Sequence, residues 1–92
     1  FVVWRAPFAC TVTKVFGYQD VGTGSVINAG KNLASSLDFL TANNIIGTAD
    51  TWDDGGAVQN TALVAGDAVY FEIVSVAGAP NEISILVELT RP

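Results

Sequence analysis

Residues 63–90, LVAGDAVYFEIVSVAGAPNEISILVELT, decide the fold class of this chain. Apolar and polar side chains alternate along both halves of the stretch, and the turn residues 78–81 separate the halves. A period of two places neighbouring side chains on opposite faces, as in half-buried β-strands. We therefore expect two strands joined by a turn, in a sheet with one face inward and one in water. The inward set is Val69, Phe71, Ile73, Ile83, Ile85, Val87 and Leu89.

The stretch from Phe8 to Tyr18 also alternates, but its phase changes once. Phe8, Cys10 and Val12 place apolar side chains at every second position. The next position of this series is Lys14, and the apolar residue that follows is Val15, one position later. One extra residue in a strand reverses the facing of everything after it. The sequence therefore predicts a bulge near Lys14 or Val15, which lets both Val12 and Val15 reach the interior.

Turn residues recur about every 8 to 12 positions along the rest of the chain, the spacing typical of antiparallel sandwiches and barrels. Shorter extended segments are expected at 25–28, 45–46 and 58–63. Residues 33–40 fit either a helical face or a strand, and their short length favours a strand. The prediction is one all-β domain over residues 1–92, an antiparallel β-sandwich of seven or eight short strands with jelly-roll connectivity.

The composition is too apolar for a small domain that stands alone. Half of the residues are hydrophobic, only 14% are charged, and the mean hydropathy is +0.43. A chain of this size buries only about 60–65% of its unfolded surface, so apolar groups must remain outside. We expect contact with another subunit or a capsid, with residues 1–8 as an inter-subunit arm; the alternative is that they form the first strand of the domain itself. The predicted contact residues are Phe1, Val2, Val3, Trp4, Tyr70, Val74 and Leu86.

Charge and hydropathy also exclude several partners. The net charge is −5, and four basic residues give no positive stripe to neutralise phosphates, so we expect no nucleic-acid binding. No apolar run reaches the roughly 18 to 20 residues that a membrane helix needs, so we expect no membrane partner. The single cysteine, Cys10, lies among apolar residues and is interpreted as a small buried hydrophobe.

Catalytic chemistry finds little support in the sequence. The chain has no histidine, so triads that depend on one are impossible. Most of its nine acids lie beside turn residues, where aspartate is favoured because it bonds nearby amides. We therefore predict a protein that is not an enzyme, with no catalytic residue, cofactor or metal site.

Residues 50–56, DTWDDGG, form the densest polar cluster. An exposed indole ring at Trp52 can stack on a sugar, and the carboxylates of Asp53 and Asp54 can accept hydrogen bonds from the hydroxyl groups of the sugar. Carboxylates are also calcium ligands, although the spacing here does not match a calcium-binding loop. The third interpretation is a surface hairpin with solvated acids. Trp52, Asp53 and Asp54 are the candidate glycan contacts, with Tyr18 as a possible addition.

Four segments resemble small β-sandwich proteins of tailed bacteriophage virions, namely head decoration or cement proteins and related fibre or spike modules. The segments are 7–15 (PFACTVTKV), 26–32 (VINAGKN), 50–52 (DTW) and 63–67 (LVAGD) with the two strands that follow. The resemblance covers most of the chain from Pro7 onward. It rests on a pattern of strands and turns and includes no catalytic signature.

The resemblance implies a homotrimer that binds the major capsid protein or other virion proteins on the outer surface of a phage head and cements it. A carbohydrate-binding receptor module of a fibre or spike is the alternative function. A major capsid jelly roll is a third interpretation, which 92 residues fit poorly because shell formation usually needs extended arms. The sequence departs from these proteins at its amino terminus, where we expect no tail long enough to act as a separate anchor and therefore attachment through residues 1–8.

Overall fold

Eight β-strands form two antiparallel sheets that pack face to face. The computed structural model describes residues 1–32 and 37–91, and no helix in that part of the chain is long and apolar enough to cross a membrane. The prediction of an all-β sandwich is confirmed. The strands are β1 (Val2–Arg5), β2 (Cys10–Gln19), β3 (Val26–Lys31), β4 (Asn44–Ile45), β5 (Asp53–Asp54), β6 (Ala62–Leu63), β7 (Ala68–Ser75) and β8 (Ile83–Thr90).

Late strands pair with early ones in both sheets. The first sheet has the order β1-β7-β3-β4. In the second sheet β8 pairs with one edge of β2, and the short strands β5 and β6 share the other edge. The long-range pairing of β7 and β8 with the first three strands ties both ends of the chain into one sandwich.

Residues 63–90 contain two strands, β7 and β8, as predicted, but these two strands belong to different sheets. β7 pairs with β1 and β3 in the first sheet, and β8 pairs with β2 in the second. The turn at residues 78–81 therefore crosses from one sheet to the other. Alternation predicts the inward faces of both strands, although Ile73 of that set is 42% exposed. The partners of both strands lie 38 or more positions earlier in the chain.

The predicted change of phase in β2 is present. The pairing of β2 with β8 shifts register between Val12 and Lys14, so the bulge lies at Thr13, next to the predicted position. Val12 and Val15 are both buried as a result. The same shift turns Phe16 and Tyr18 to the outer face of the second sheet, because side chains alternate after the bulge.

The core lies between the two sheets and is almost entirely aliphatic. Cys10 is buried, in agreement with its interpretation as a small hydrophobe. Trp4 and Phe71 pack against this core from the side and remain partly exposed. The buried hydrophobic residues are Ala6, Cys10, Val12, Val15, Ile27, Ala29, Phe39, Leu40, Ile46, Leu63, Val69 and Tyr70.

The shorter predicted segments are confirmed only in part. Residues 33–36 lie outside the described residues, but Asp38 and Leu40 make isolated bridges to Gly30 and Val58. The segment 58–63 shortens to a bridge and the two-residue strand β6, since Asn60 has a φ of 52° that interrupts it. Asp53 and Asp54 lie outside the extended segments that the sequence predicts, and they form β5 against β2.

A buried polar cluster joins the two turns at one end of the sandwich. The Gln19 side chain donates from Nε2 to the carbonyls of Val21 and Ala77, both at 2.9 Å, and accepts from Ser25 N at 3.0 Å. Ser25 Oγ in turn exchanges hydrogen bonds with the backbone of Ala77. Because a buried polar group without partners costs free energy, these bonds hold the β2–β3 and β7–β8 turns together.

Candidate functional site

The two sheets separate along one side of the sandwich, between the edges formed by β7 and β8. β1 covers only the first part of the free edge of β7, so residues 72–75 extend beyond it. Within the described residues, no strand pairs with the second edge of β8. Unpaired strand edges present free N–H and C=O groups that another chain can bind.

An apolar groove of about 170 Å³ lies between these edges, and we call it the seam. It contains inner-face residues of both sheets that the sandwich leaves partly open to solvent, among them Phe71 and Ile85. None of the described residues that line it carries a charged side chain. The seam is lined by Val3, Trp4, Val69, Phe71, Ile85, Leu86, Val87 and Leu89.

The structure brings together three of the seven predicted contact residues. Val3, Trp4 and Leu86 line the seam, and Val3 and Leu86 are 42% and 44% exposed. Phe1 and Val2 are exposed at the start of β1, beside the seam, while Val74 is exposed farther along β7. Residues 2–5 pair with β7 as the first strand of their own domain, which was the alternative to a free arm.

Tyr70 is the one predicted contact that its own chain covers. Its ring lies against Gly30 of β3, and its hydroxyl donates to Asp38 Oδ1 at 2.9 Å. The side chain is only 5% exposed, so the expectation of an outward contact at Tyr70 is wrong. The alternation along β7 is correct, but a strand pattern cannot show that the Tyr70 ring lies across Gly30 and that Asp38 accepts its hydroxyl hydrogen bond.

A second feature occupies the outer face of the second sheet, where three aromatic side chains lie together. Phe16 and Tyr18 follow each other on β2, and Phe16 pairs with Asp54 of β5. The same register places Trp52 opposite Tyr18, and the two ring centroids are 5.2 Å apart. Trp52 is 47% exposed. We call Phe16, Tyr18 and Trp52 the aromatic face.

The Tyr18 ring is fixed by a hydrogen bond from its hydroxyl to Asp50 Oδ1. That bond, with desolvation and the negative charges of Asp50, Glu82 and Asp20, raises the pKa of Tyr18 to about 12. Asp50 is itself held by its backbone N–H, which donates to the carbonyl of Gln19 at 2.9 Å. The aromatic face therefore has an acidic border at one end.

Asp53 and Asp54 both interact with residues of their own chain, and Asp54 stands opposite Phe16 at one end of the aromatic face. Asp53 accepts a hydrogen bond from Gly47 N at 2.7 Å and so closes its own loop. Asp54 lies 3.4 Å from Lys14 Nζ, and the hydrogen bond from Gly56 N, together with Lys14, lowers its pKa. Among the described residues, no three acidic, cysteine or histidine side chains gather where they could hold a metal ion.

Both tyrosines of the chain should resist ionisation while the protein is folded. Burial and the hydrogen bond to Asp38 raise the pKa of Tyr70 to about 12, as the bond to Asp50 does for Tyr18, against an ordinary value of 10.0. We expect tyrosinate absorbance to appear near pH 12 in the folded protein and near pH 10 in denaturant. Because the folded pKa is raised, this stabilisation is complete below pH 10 and is lost as the pH rises towards 12. Tyrosinate absorbance near pH 10 in the folded protein would contradict both hydrogen bonds.

Sequence reasoning missed part of each feature. The inner-face seam residues were assigned to the core, because alternation shows which face is inward but not whether the opposite sheet covers it. Phe16 was missed on the aromatic face, although the phase change after Val12 was a signal for its outward position.

Comparison with protein-family models, with curated proteins and with solved structures finds no match for this chain.

Proposed function

We propose that this protein is a structural component of a bacteriophage virion, which decorates the outer surface of the head as a homotrimer and stabilises it. The seam is the observation that carries the proposal. Inner-face side chains of both sheets reach solvent there, although a sandwich that works alone normally covers them. The resemblance of residues 7–15, 26–32, 50–52 and 63–67 to phage decoration proteins supports the same interpretation.

The chemistry of the seam favours a copy of the same chain as its cover. The groove is apolar, and exposed apolar residues at the start of β1, Phe1 and Val2, lie beside it. Burial of apolar surface contributes about 25 cal/mol per Å² to the free energy of association. Covering the seam and its border with another apolar surface is therefore the most favourable way to remove them from water. Three copies around a threefold axis would place such surfaces against one another and close the assembly.

The charge of the chain supports a position outside the shell. The net charge is −5, and the four basic residues are spread along the sequence. Lys14 is paired with Asp54, and the Arg91 guanidinium lies 4.0 Å from the centre of the Phe8 ring. A protein of this kind gains nothing from contact with packaged DNA. Its expected partners are the major capsid protein or other virion proteins.

Particles of the phage that encodes the protein test this function. Removing the protein from purified heads should lower the temperature at which the heads rupture, and adding purified protein back should restore it. Decoration also predicts that the bound copies scale with the capsomers of the shell and not with the few fibres or spikes. Unchanged heat resistance together with no binding to emptied heads would contradict the proposal.

A further inference from the structure

The aromatic face differs from the seam in position and chemistry, because it lies on the outer side of the second sheet. Its three rings stand side by side on one surface, and the Tyr18 and Trp52 planes are inclined by 41°. Trp52 is the most open of the three at 47% exposed, whereas the Lys14 ammonium group lies 5.8 Å from the centre of the Phe16 ring. Aromatic cages for cations enclose the ligand from several directions, whereas an open row of rings suits a flat ligand with an apolar face.

The loop that carries Trp52 is held in place before any ligand binds. Gly47 N donates to Asp53 Oδ2, Asp50 N donates to the Gln19 carbonyl, and the Tyr18 hydroxyl donates to Asp50. Binding to a surface that is already ordered avoids much of the entropic cost of fixing side chains. The exposed indole is therefore presented in a defined orientation, on a loop that these hydrogen bonds hold directly before β5.

The charges around the rings restrict the ligand further. Asp20, Asp50 and Glu82 all act on the Tyr18 hydroxyl as negative neighbours. Lys14 lies at the other end of the face, where it is paired with Asp54 and approaches the Phe16 ring at 5.8 Å. Carboxylates accept hydrogen bonds from hydroxyl groups and repel anions. The ligand should therefore carry hydroxyl donors and no negative charge.

We propose that Trp52, Tyr18 and Phe16 bind a neutral glycan, with the apolar face of a sugar ring on Trp52 and Asp50 accepting a hydroxyl hydrogen bond. Glycans that carry sialic acid, sulfate or phosphate are rejected by the acidic border. Asp53 is not assigned a ligand contact, because it binds Gly47, and Asp54 stands opposite Phe16 at the far end of the face, where it is paired with Lys14. The inference is independent of the seam and of capsid decoration.

An array of neutral and acidic glycans, probed with the purified protein, tests this site. We expect binding to at least one neutral glycan and none to its sialylated or sulfated form. Trp52→Ala should weaken that binding roughly tenfold or more, since it removes the stacking surface, and Trp52→Phe should retain part of it. Val64→Ala is the matched control, because Val64 is also exposed, at 62%, but lies away from the rings. Circular dichroism of each variant shows that the fold is retained.

Three results would overturn the inference: no neutral glycan bound, preferential binding of acidic glycans, or equal binding by Trp52→Ala and the parent. Binding of a lysine-rich peptide in place of any glycan would show that the acidic border recognises cations. A seam variant on the first sheet, Val3→Glu, separates this site from assembly, because Val3 lies on β1 whereas Leu86 stands opposite Phe16. It should retain the affinity of a single site, measured by titration with the glycan that the array identifies, even where the oligomer is lost.

Discussion

Replacement of Gly22 by alanine is expected to cost about 3–5 kcal/mol and to leave little folded protein at physiological temperature. A Cβ on Gly22 would lie 2.1 Å from the carbonyl oxygen of Gly78, and Gly22 has a φ of +71°. The opposing atom belongs to the backbone of the β7–β8 turn, which the cluster around Gln19 holds in place. A domain of this length has a total stability of roughly 5–14 kcal/mol, so the loss is a large part of it.

Gly56 offers a matched control for this prediction. Its φ is +86°, but no atom lies within 4 Å of the Cβ that a substitution would add. Gly56→Ala therefore carries only the conformational strain, about 1–2 kcal/mol. Denaturant unfolding of both variants measures the difference. Equal destabilisation of the two variants would show that the two turns do not meet as described.

Replacement of Leu86 by glutamate is expected to abolish self-association while leaving the domain folded. Leu86 lies on the border of the seam and is 44% exposed, so the monomer can accept a charged side chain there. In a covered seam the same charge would be buried without a partner, at a cost of several kcal/mol. A cost of about 3 kcal/mol already weakens association more than a hundredfold.

Val64→Glu supplies the corresponding control, since Val64 is exposed but does not line the seam. This variant should assemble like the parent protein and differ from Leu86→Glu only in the position of the added charge. Analytical ultracentrifugation at matched concentrations compares the three proteins. If Leu86→Glu assembles as strongly as Val64→Glu, the seam is not the contact between copies.

The sequence predicts local features of this fold better than it predicts strand partners. Alternation identified β2, β7 and β8, and one break in phase located the bulge beside Lys14 within about a residue. It could not show that β7 and β8 belong to different sheets, because a four-residue turn is also compatible with a hairpin. The choice between the two depends on pairing with β2 and β3, which are distant in sequence.

The same limit applies to the candidate sites. An excess of apolar residues indicated that apolar surface remains outside the core, since composition shows how much surface a small domain cannot bury. Val3, Trp4 and Leu86, which were predicted to contact another chain, line the apolar seam. Composition could not show that Tyr70 is buried and that its hydroxyl donates a hydrogen bond to Asp38. Trp52 was recognisable from its acidic neighbours, but its aromatic partners come from β2, through a register that only the folded sheet defines.

The mass of the unmodified protein in solution tests the central claim, that the seam is a surface between copies. Light scattering during size-exclusion chromatography, over a range of protein concentrations, gives this mass directly. We expect the mass of three chains at high concentration, with dissociation on dilution. A monomer at every concentration, with the seam still accessible to an apolar dye, would contradict the account.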